Sequence, residues 1–419
     1  MIRKVIDYLR RKQNITIEDL VVEICSSNMY YKYIAGTKNL SEKNLNLIKD
    51  RLGADNLTKE EVVAFKNDLD KITLNIMRFY ASKKHFEKDI EPLLEIENQL
   101  LLNEELVIPY LIVKINYLFI CSDKEEIINL FGLLENFMDK MTTTELLLYY
   151  NIKINISAYN ESSIEEGVTS FIKLLEKNLY NKDYGTFLLS AVYYYLRLRN
   201  RIGALEMCEK AIELFQRDIN VTGLVKTTNT KGILLIIEGK YQEALDLLLV
   251  NYDNCKKTSS EYELFICLAN IVECSLETSK VDLSDKYFTT FIKKVNKLSD
   301  VGLIRTILNN VSVGLITTFD YYKKYEEIHS LIDLIKKYSC YDNIAVKKLV
   351  EYYDLKDMDE IVNYAVDELL PCIIGKAHFA YCRWLIDKCV LYYRNNRMYK
   401  KAVDVEIKYV KAFQEYYYF

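Results

Sequence analysis

The sequence predicts an all-α protein whose larger part is a right-handed solenoid of helical hairpins. Half of the residues are hydrophobic, yet only 12 Gly and 3 Pro occur in 419 positions, which leaves few residues suited to the turns of a large sheet. A corner between two helices also recurs along the chain at intervals of roughly 40 residues. Composition and a sustained period together give the fold class.

The clearest copy of this corner lies between Asn229 and Tyr252. Two apolar helical segments are separated there by Glu238-Gly239-Lys240. The small residues Gly232 and Ala244 fall where the two antiparallel helices would touch, because small side chains let helices approach closely. The segment is therefore predicted to be a helical hairpin.

The run Lys240-Tyr241-Gln242-Glu243-Ala244 resembles the tetratricopeptide pattern, which places small residues and an aromatic at such a corner. One hairpin cannot bury its own apolar face, so a stable array needs several copies. Weaker copies, each marked by the residue that corresponds to Ala244, occur at Asp89, Ile127, Gly167, Ala204, Ser284, Ile328, Val362 and Ala402. The sequence thus predicts about nine tetratricopeptide-like hairpins over residues 81–419.

The first 53 residues differ from the rest in charge and in their helix caps. They carry ten Lys/Arg and six Asp/Glu, a net charge of +4. Because the whole chain has a net charge of −4, the remaining residues carry −8. Helices are predicted from Ile2 to Gln13, after Thr16, after Ser26 or Ser27, and after Ser41, with Gly36 and Gly53 as left-handed ends. Four short helices with a tight turn between the second and third indicate a helix-turn-helix DNA-binding domain over residues 1–53.

The third predicted helix of this domain resembles that of the Xre-type repressors, which commonly reads S-x-x-S-R-I-E-x-G before a loop and P-S. The corresponding run here is Asn28-Met29-Tyr30-Tyr31-Lys32-Tyr33-Ile34-Ala35-Gly36, with Leu40-Ser41 in place of P-S. Tyr31 and Ile34 depart from the pattern, so base preferences cannot be carried over. Helical spacing turns Tyr30 and Tyr33 toward the core. Ser27, Asn28, Tyr31 and Lys32 are then predicted to read bases, and Lys38 and Asn39 to contact phosphates.

Residues 54–80 are predicted to form a linker helix, opened by a capping box between Thr58 and Glu61. The array beyond it shows no phosphate-binding loop, dinucleotide turn or Ser/His/Asp constellation. Ten Cys without a C-x-x-C and three His lack the spacing of a metal site. No run approaches the ~18 apolar residues of a membrane span. We therefore expect a cytoplasmic protein that is not an enzyme and needs no cofactor or metal.

The first helices of the hairpins are predicted to line a groove for an extended peptide. Asn side chains suit such a groove, because each offers a donor and an acceptor to a peptide backbone. The predicted peptide-binding residues are Asn116, Asn155, Arg197, Asn229, Asn270 and Asn310. The general abundance of Asn in this sequence is the competing explanation for any one of them.

A basic repressor-like head joined to a tetratricopeptide body resembles the RNPP family of peptide-responsive regulators of Gram-positive bacteria and their phages. The resemblance implies a homodimeric quorum-sensing transcription factor that binds a double-stranded DNA operator and a short signalling peptide, in the manner of sporulation or virulence regulators. The dimer is expected to form through the repeat body, with Tyr416-Tyr417-Tyr418-Phe419 as a candidate contact.

Two alternatives come from other functional classes. Rap-like response-regulator-binding phosphatases share the repeat body but begin with a helical bundle. A repeat-based adaptor would hold a protein partner without specific DNA binding. The +4 head and its cap pattern favour a DNA-binding protein over a Rap-like phosphatase, and the adaptor remains open.

Overall fold

Every element in the described part of the chain is a helix, which confirms the all-α prediction. The computed structural model describes residues 2–78, 83–121, 123–160, 165–178, 181, 183–198, 200–258, 260–374 and 379–417. The chain divides into two compact units, residues 1–223 and residues 224–419.

Four short helices begin the first unit: α1 (Ile2–Lys12), α2 (Ile17–Val21), α3 (Ser27–Ile34) and α4 (Glu42–Arg51). The predicted caps are present, since Thr16, Ser26 and Ser41 each accept a hydrogen bond from the backbone amide three residues later. Gly36 and Gly53 adopt positive φ angles of 79° and 70° after α3 and α4. Local cap chemistry therefore sets the ends of these helices.

Polar bonds between side chains and backbone hold the four helices together. The Arg51 guanidinium donates to the carbonyl oxygens of Asp19, Leu20 and Val22 at 2.8–3.1 Å, which satisfies orphan carbonyls at the end of α2. The Asn44 amide donates to the Ile24 carbonyl at 3.1 Å and fixes α4 to the turn between α2 and α3. This turn is thereby held from two sides.

The rest of the first unit holds nine helices and a 3-10 segment in the described residues. They are α5 (Lys59–Arg78), α6 (Lys83–Glu95), α7 (Glu97–Leu101), α8 (Val107–Cys121), α9 (Lys124–Leu134), the 3-10 segment Glu135–Lys140, α10 (Thr143–Asn160), α11 (Glu165–Glu176), α12 (Gly185–Arg197) and α13 (Arg201–Arg217). The capping box that opens α5 is present, with the Thr58 amide donating to Glu61 at 2.8 Å. Helices α8/α9, α10/α11 and α12/α13 pack as pairs.

The second unit continues the same pairing. Helix α14 (Val221–Ile237) spans the boundary between the units. It is followed by α15 (Tyr241–Cys255), α16 (Glu261–Glu277), α17 (Val281–Val295), α18 (Val301–Tyr321), α19 (Tyr325–Tyr338), α20 (Ile344–Asp354), α21 (Met358–Tyr364), the π-helical turn Ala365–Leu369, α22 (Leu370–Ile373), α23 (Phe379–Asn395) and α24 (Tyr399–Tyr417). Within this unit α16/α17, α18/α19 and α23/α24 pack as pairs.

The repeat register expected from the sequence agrees with burial. Markers near the start of the second helix of each pair are buried: Ile127, Gly167, Ala204, Ala244, Ser284, Ile328, Val362 and Ala402. Asp89 in α6 is only half-buried. The corner before it includes residues 79–82, and these, like the side chain of Phe86, lie outside the described residues.

A second repeat feature lies in the turn five residues before the marker. Gly239, Ser279, Lys323 and Arg397 all adopt a positive φ there, between 58° and 73°. A residue in the left-handed backbone conformation at this point ends the first helix and turns the chain toward the second helix. Only one of these four residues is glycine, so the sequence alone does not reveal the shared turn.

Helices α14 and α15 approach closely at Gly232, as the sequence predicts, but the contact is one turn beyond Ala244. A Cβ on Gly232 would lie 2.7 Å from Leu248 Cδ2. Leu248 itself is fully buried. A larger residue here would therefore force Leu248 to shift from its packed position.

Helix α18 is long and apolar enough to cross a membrane by length and composition, although the sequence analysis found no such run. In the apolar 18-residue stretch of this helix, 56% is buried inside the protein. The helix also buries the polar residues Asn309, Ser312, Thr317, Thr318 and Asp320. Buried polar side chains and packing against α16, α19, α20 and α23 are typical of a core helix.

Replacing Gly239 by Ala should lower the free energy of unfolding by about 1 kcal/mol, because an alanine at a φ of 73° is strained. The matched control is Gly132→Ala within α9, where an added Cβ likewise meets nothing within 4 Å. That change should instead stabilise the protein by about 0.5–1 kcal/mol through helix propensity. Urea denaturation measures both, and equal effects of the two substitutions would contradict the assigned turn.

Candidate functional site

The outer face of α3 carries the side chains predicted to read bases. Asn28, Tyr31 and Lys32 are exposed, and Ser27 is half-buried. Tyr30 and Tyr33 lie on the opposite face and are 1% and 6% exposed. The structure therefore gathers polar and aromatic groups on one accessible face of a helix whose other face is anchored in a core.

The loop after α3 extends this face. Lys38 and Asn39 are exposed, and the Lys38 amide donates to the Lys32 carbonyl at 3.2 Å, which holds the loop against the end of α3. The Arg3 guanidinium from α1 lies 5.4 Å from the centre of the Tyr33 ring and 3.5 Å from Asn39 Oδ1. Sequence reasoning missed Arg3, because its proximity to this loop depends on how α1 packs.

A cluster of four charged side chains joins α1 to the first repeats. Lys12 of α1 lies 2.7 Å from Glu97 of α7 and 3.5 Å from Glu126 of α9. Lys114 of α8 lies 3.3 Å from Glu97 and 3.6 Å from Glu126. We call these four residues the α1 ion cluster. It contains two cations and two carboxylates, so its charges compensate one another.

Glu97 is the central acid of this cluster. Burial by itself would raise the pKa of Glu97, but Lys114 and Lys12 outweigh burial and hold that pKa below its usual value. Burial likewise raises the pKa of the neighbouring Tyr8 phenol, to about 12. The two lysines thus favour the ionised form of Glu97 although that side chain is largely buried.

A pair of amide bonds adds to this contact. Gln13 Nε2 and Asn98 Nδ2 both donate to the Leu52 carbonyl at 3.0 Å. Gln13 follows α1, Leu52 follows α4, and Asn98 belongs to α7. The four-helix head is therefore attached to the first repeats by direct polar contacts in addition to the covalent connection through α5.

Two predicted peptide-binding residues lie on adjacent stripes in the second unit. Along α16, Tyr262, Ile266 and Asn270 recur every four residues and are half-buried. Asn310 of α18 is exposed, and its Nδ2 donates to the Tyr262 hydroxyl at 3.1 Å. The Asn270 Nδ2 is buried and has no hydrogen-bond partner among the described residues. A donor in that state is suited to a ligand carbonyl.

Asn229 lies in a different environment from Asn270 and Asn310. It is 1% exposed, and its Nδ2 donates to the Glu263 carbonyl at 2.9 Å and to a Glu263 carboxylate oxygen at 2.8 Å. Its Oδ1 accepts from Asn251 Nδ2 at 2.8 Å. These bonds fix α14, α15 and α16 to one another, so in this structure the Asn229 amide is engaged by the protein itself.

The remaining predicted peptide-binding residues belong to the first unit. Asn116 of α8 is half-buried and donates to the Ile112 carbonyl of its own helix at 2.8 Å. Asn155 of α10 is half-buried. The side chain of Arg197 lies outside the described residues.

The described cysteines and histidines form no candidate metal centre. Within the searched part of the chain, no group of three or more His, Cys, Asp or Glu side chains could hold a metal ion. Two pairs of cysteines are each seven residues apart, Cys267/Cys274 and Cys382/Cys389, and all four thiols are buried. Burial raises the pKa of the Cys389 thiol to about 12, which disfavours the reactive thiolate.

Comparison with solved structures identifies the fold. The chain is similar to the apo form of the quorum sensor NprR from B. thuringiensis, with a TM-score of 0.60 and 14% identity over 83% of this chain and 98% of that one. It is similar to a Rap protein complexed with competence and sporulation factor, with a TM-score of 0.58 and 13% identity over 85% and 99% of the two chains. NprR in complex with its cognate peptide NprX gives a TM-score of 0.53 and 17% identity over 81% and 98%.

These similarities confirm the repeat fold that the RNPP resemblance implies. No protein-family model and no curated protein matches the sequence. At identities of 13–17% the shared property is the fold alone.

Replacing Glu97 by Gln should lower the free energy of unfolding at pH 7 by about 3 kcal/mol, because it leaves the buried Lys114 short of a countercharge. The control is Glu368→Gln, which breaks an exposed ion pair with Lys348 at 2.8 Å and should cost at most about 1 kcal/mol.

The effect of Glu97→Gln should also depend on pH. The folded-state pKa of Glu97 is depressed, so its contribution is present above the unfolded pKa of about 4.3 and is lost as pH falls through the lower folded value. Urea denaturation at pH 7 and at pH 3.5 measures this. A deficit that does not shrink in acid would contradict the ionic role of Glu97.

Proposed function

We propose that the protein is a cytoplasmic transcriptional regulator that binds DNA through α3 and is controlled by a short signalling peptide bound to its repeats. The observation that carries the proposal is the exposed face of α3. Asn28, Tyr31 and Lys32 project from a helix whose buried face is fixed by two tyrosines. This helix follows α2 across a turn that Arg51 and Asn44 hold in place.

The chemistry of this face suits the major groove. An Asn side chain can bond both the donor and the acceptor of an adenine edge, and a Lys can reach guanine or phosphate. Lys38, Asn39 and Arg3 surround the end of α3, where phosphate contacts would fix the register of the helix on the duplex. The net charge of +4 over residues 1–53 supplies long-range attraction to DNA.

The repeats supply the ligand surface. NprR has been solved with its cognate peptide and a Rap protein with competence and sporulation factor. In this chain the support comes from Asn270, whose buried amide donor has no acceptor within the described part of the chain, and from the neighbouring Asn310. An extended peptide backbone offers a carbonyl of the kind that Asn270 requires. The proposed ligand is therefore a short peptide.

The active form is proposed to be a homodimer, because one small head covers too little DNA surface to be specific alone. The final helix presents Tyr399, Val403 and Ile407 at four-residue spacing, and they are 64%, 48% and 68% exposed. An apolar stripe on the last helix of an array is suited to self-association. Within the tail, the side chains of residues 413–419 lie outside the described residues.

The second candidate function is a Rap-like one. The aspartyl phosphate phosphatase F from Bacillus subtilis gives a TM-score of 0.53 over 86% of this chain, so the fold alone favours neither function. Under this alternative, and under that of an adaptor, the exposed face of α3 would contact no DNA. The salt dependence of binding separates the candidates, because neutralisation of phosphates makes DNA affinity fall steeply with salt.

The double substitution Asn28→Ala with Lys32→Ala should weaken binding to the operator at least about 30-fold, since each base contact contributes about 1–3 kcal/mol. Electrophoretic mobility shift of the full chain on DNA from upstream of its own gene, at several salt concentrations, measures the loss. Circular dichroism should show unchanged helicity.

The matched control for this experiment is Lys293→Ala with Asn296→Ala, which removes the same residue types from exposed positions of the second unit. It should bind DNA as the wild type does. Equal protection of the operator by both double variants would reject α3 as the reader. Light scattering of the same samples tests the dimer, and a mass of one chain at the concentrations used would reject it.

Replacing Asn270 and Asn310 together by Ala should weaken binding of the signalling peptide about 10-fold or more, because each lost amide bond costs about 0.5–1.5 kcal/mol. Titration calorimetry with synthetic versions of short peptides encoded beside the gene measures the affinity. Asn296→Ala is the control and should bind as the wild type does. Without peptide, the wild type, the double variant and the control should bind DNA equally well. The proposed switch would be refuted if the wild type bound none of these peptides.

A further inference from the structure

Tyr31 is the most exposed large hydrophobic side chain of α3. It is 57% exposed, whereas Tyr30 and Tyr33 of the same helix are 1% and 6% exposed. Single exposed aromatic residues are common on protein surfaces, and Tyr325 of the second unit is 53% exposed. The role of Tyr31 therefore has to follow from its surroundings on α3.

The ring of Tyr31 is not engaged by the rest of the protein. Within the described part of the chain its side chain forms no hydrogen bond, ion pair or ring contact. The residues four positions before and after it are Ser27 and Ala35, which are both small and share its stripe of the helix. The ring therefore projects beyond the helix surface, and a ligand can cover it without breaking any bond within the protein.

The helix that carries this ring is held in place on its other side. Tyr30 and Tyr33 are buried there, and the Arg3 guanidinium lies 5.4 Å from the centre of the Tyr33 ring. Ser26 caps the start of α3 by accepting a backbone hydrogen bond at 3.2 Å. A tyrosine has few rotatable bonds, so a fixed helix presents its ring at a low cost in conformational entropy.

The major groove of DNA offers one apolar group to such a ring. That group is the C5-methyl of thymine, because the other bases present only hydrogen-bond donors and acceptors at this edge. An aromatic ring that projects into the groove thus has a favourable partner at a thymine and none at a cytosine, which lacks the methyl group.

The position of Tyr31 along α3 places this contact close to a base read by Asn28. Asn28 and Tyr31 are the second and fifth residues of the helix, and helix-turn-helix proteins contact base edges with the N-terminal part of this helix. Three residues advance about 4.5 Å along a helix, which is comparable with the spacing of about 3.4 Å between successive base pairs. The two side chains therefore suit the same or neighbouring base pairs.

We propose that Tyr31 makes the operator sequence specific for thymine, through contact of its ring with the C5-methyl group beside the base pair that Asn28 contacts. This inference rests on the proposed function, because it requires α3 to enter the major groove. The Xre-type pattern usually has a serine at this position. The preference is thus a property of this chain and is not implied by the resemblance.

The test uses full-length protein and a DNA fragment from upstream of its own gene, amplified with either thymidine or deoxyuridine triphosphate. Uracil differs from thymine only in lacking the C5-methyl group. The wild type should bind the thymine fragment at least about fourfold more tightly than the uracil fragment, as expected for one buried methyl group. The ratio of the two affinities should be at least about fourfold smaller for Tyr31→Ala.

The comparison of ratios isolates the contact. Uracil also alters the flexibility of the duplex, but this change affects the wild type and the variant alike and cancels between them. Tyr31→Phe keeps the ring and should keep the wild-type ratio. The matched control Tyr325→Ala removes a similarly exposed tyrosine from the second unit and should keep it as well.

A second measurement needs no change in the protein. Single replacements of thymine by uracil locate the position at which the wild type loses most affinity. At that position a pair of 5-methylcytosine with guanine should bind the wild type about fourfold more tightly than an unmethylated pair, because the methyl group is restored.

Equal ratios for the wild type and Tyr31→Ala would overturn the proposal. So would a Tyr31→Phe variant that behaves as Tyr31→Ala, since the hydroxyl and not the ring would then make the contact. In both cases the wild type still binds the fragment, so the proposed function is unaffected. A wild type that bound neither fragment would reject both the thymine contact and DNA binding by α3.

Discussion

A helical hairpin has apolar residues on more than one side and can cover only one side by itself, so each hairpin in this chain depends on its neighbours. The markers Ala204, Ala244 and Ser284 show how this need is met, because each is fully buried near the start of a second helix. The first helices also carry polar side chains that are half-buried or exposed, among them Asn116, Asn270 and Asn310.

Sequence reasoning predicted features that depend on local spacing, whereas contacts with distant parts of the chain carry no such signal. The caps Ser26 and Ser41 and the burial of Tyr30 and Tyr33 follow from spacing within a few residues, and all were predicted. Asn229 was predicted from the same local pattern as Asn270 and Asn310, and its bonds to Glu263, which lies 34 residues later, could not be read from that pattern. The position of α5 on α8 and α12 likewise has no local signature.

The charged groups of the head are engaged to different degrees. Lys12 is compensated by Glu97 and Glu126, while Arg10 and Arg11 share Asp7 at 2.9 and 2.7 Å. Lys32 of α3 and Lys38 of the following loop are exposed. The contact of α1 with the repeats therefore leaves these two lysines accessible.

The turn before each marker requires a backbone conformation and not a particular residue. Glycine, serine, lysine and arginine all occupy it with a positive φ, at a cost of about 1 kcal/mol for each residue other than glycine. Several residue types therefore serve the same turn within this one chain. A repeat fold that depends on backbone conformation more than on residue identity can be shared at low sequence identity, as the 14% identity beside a TM-score of 0.60 illustrates.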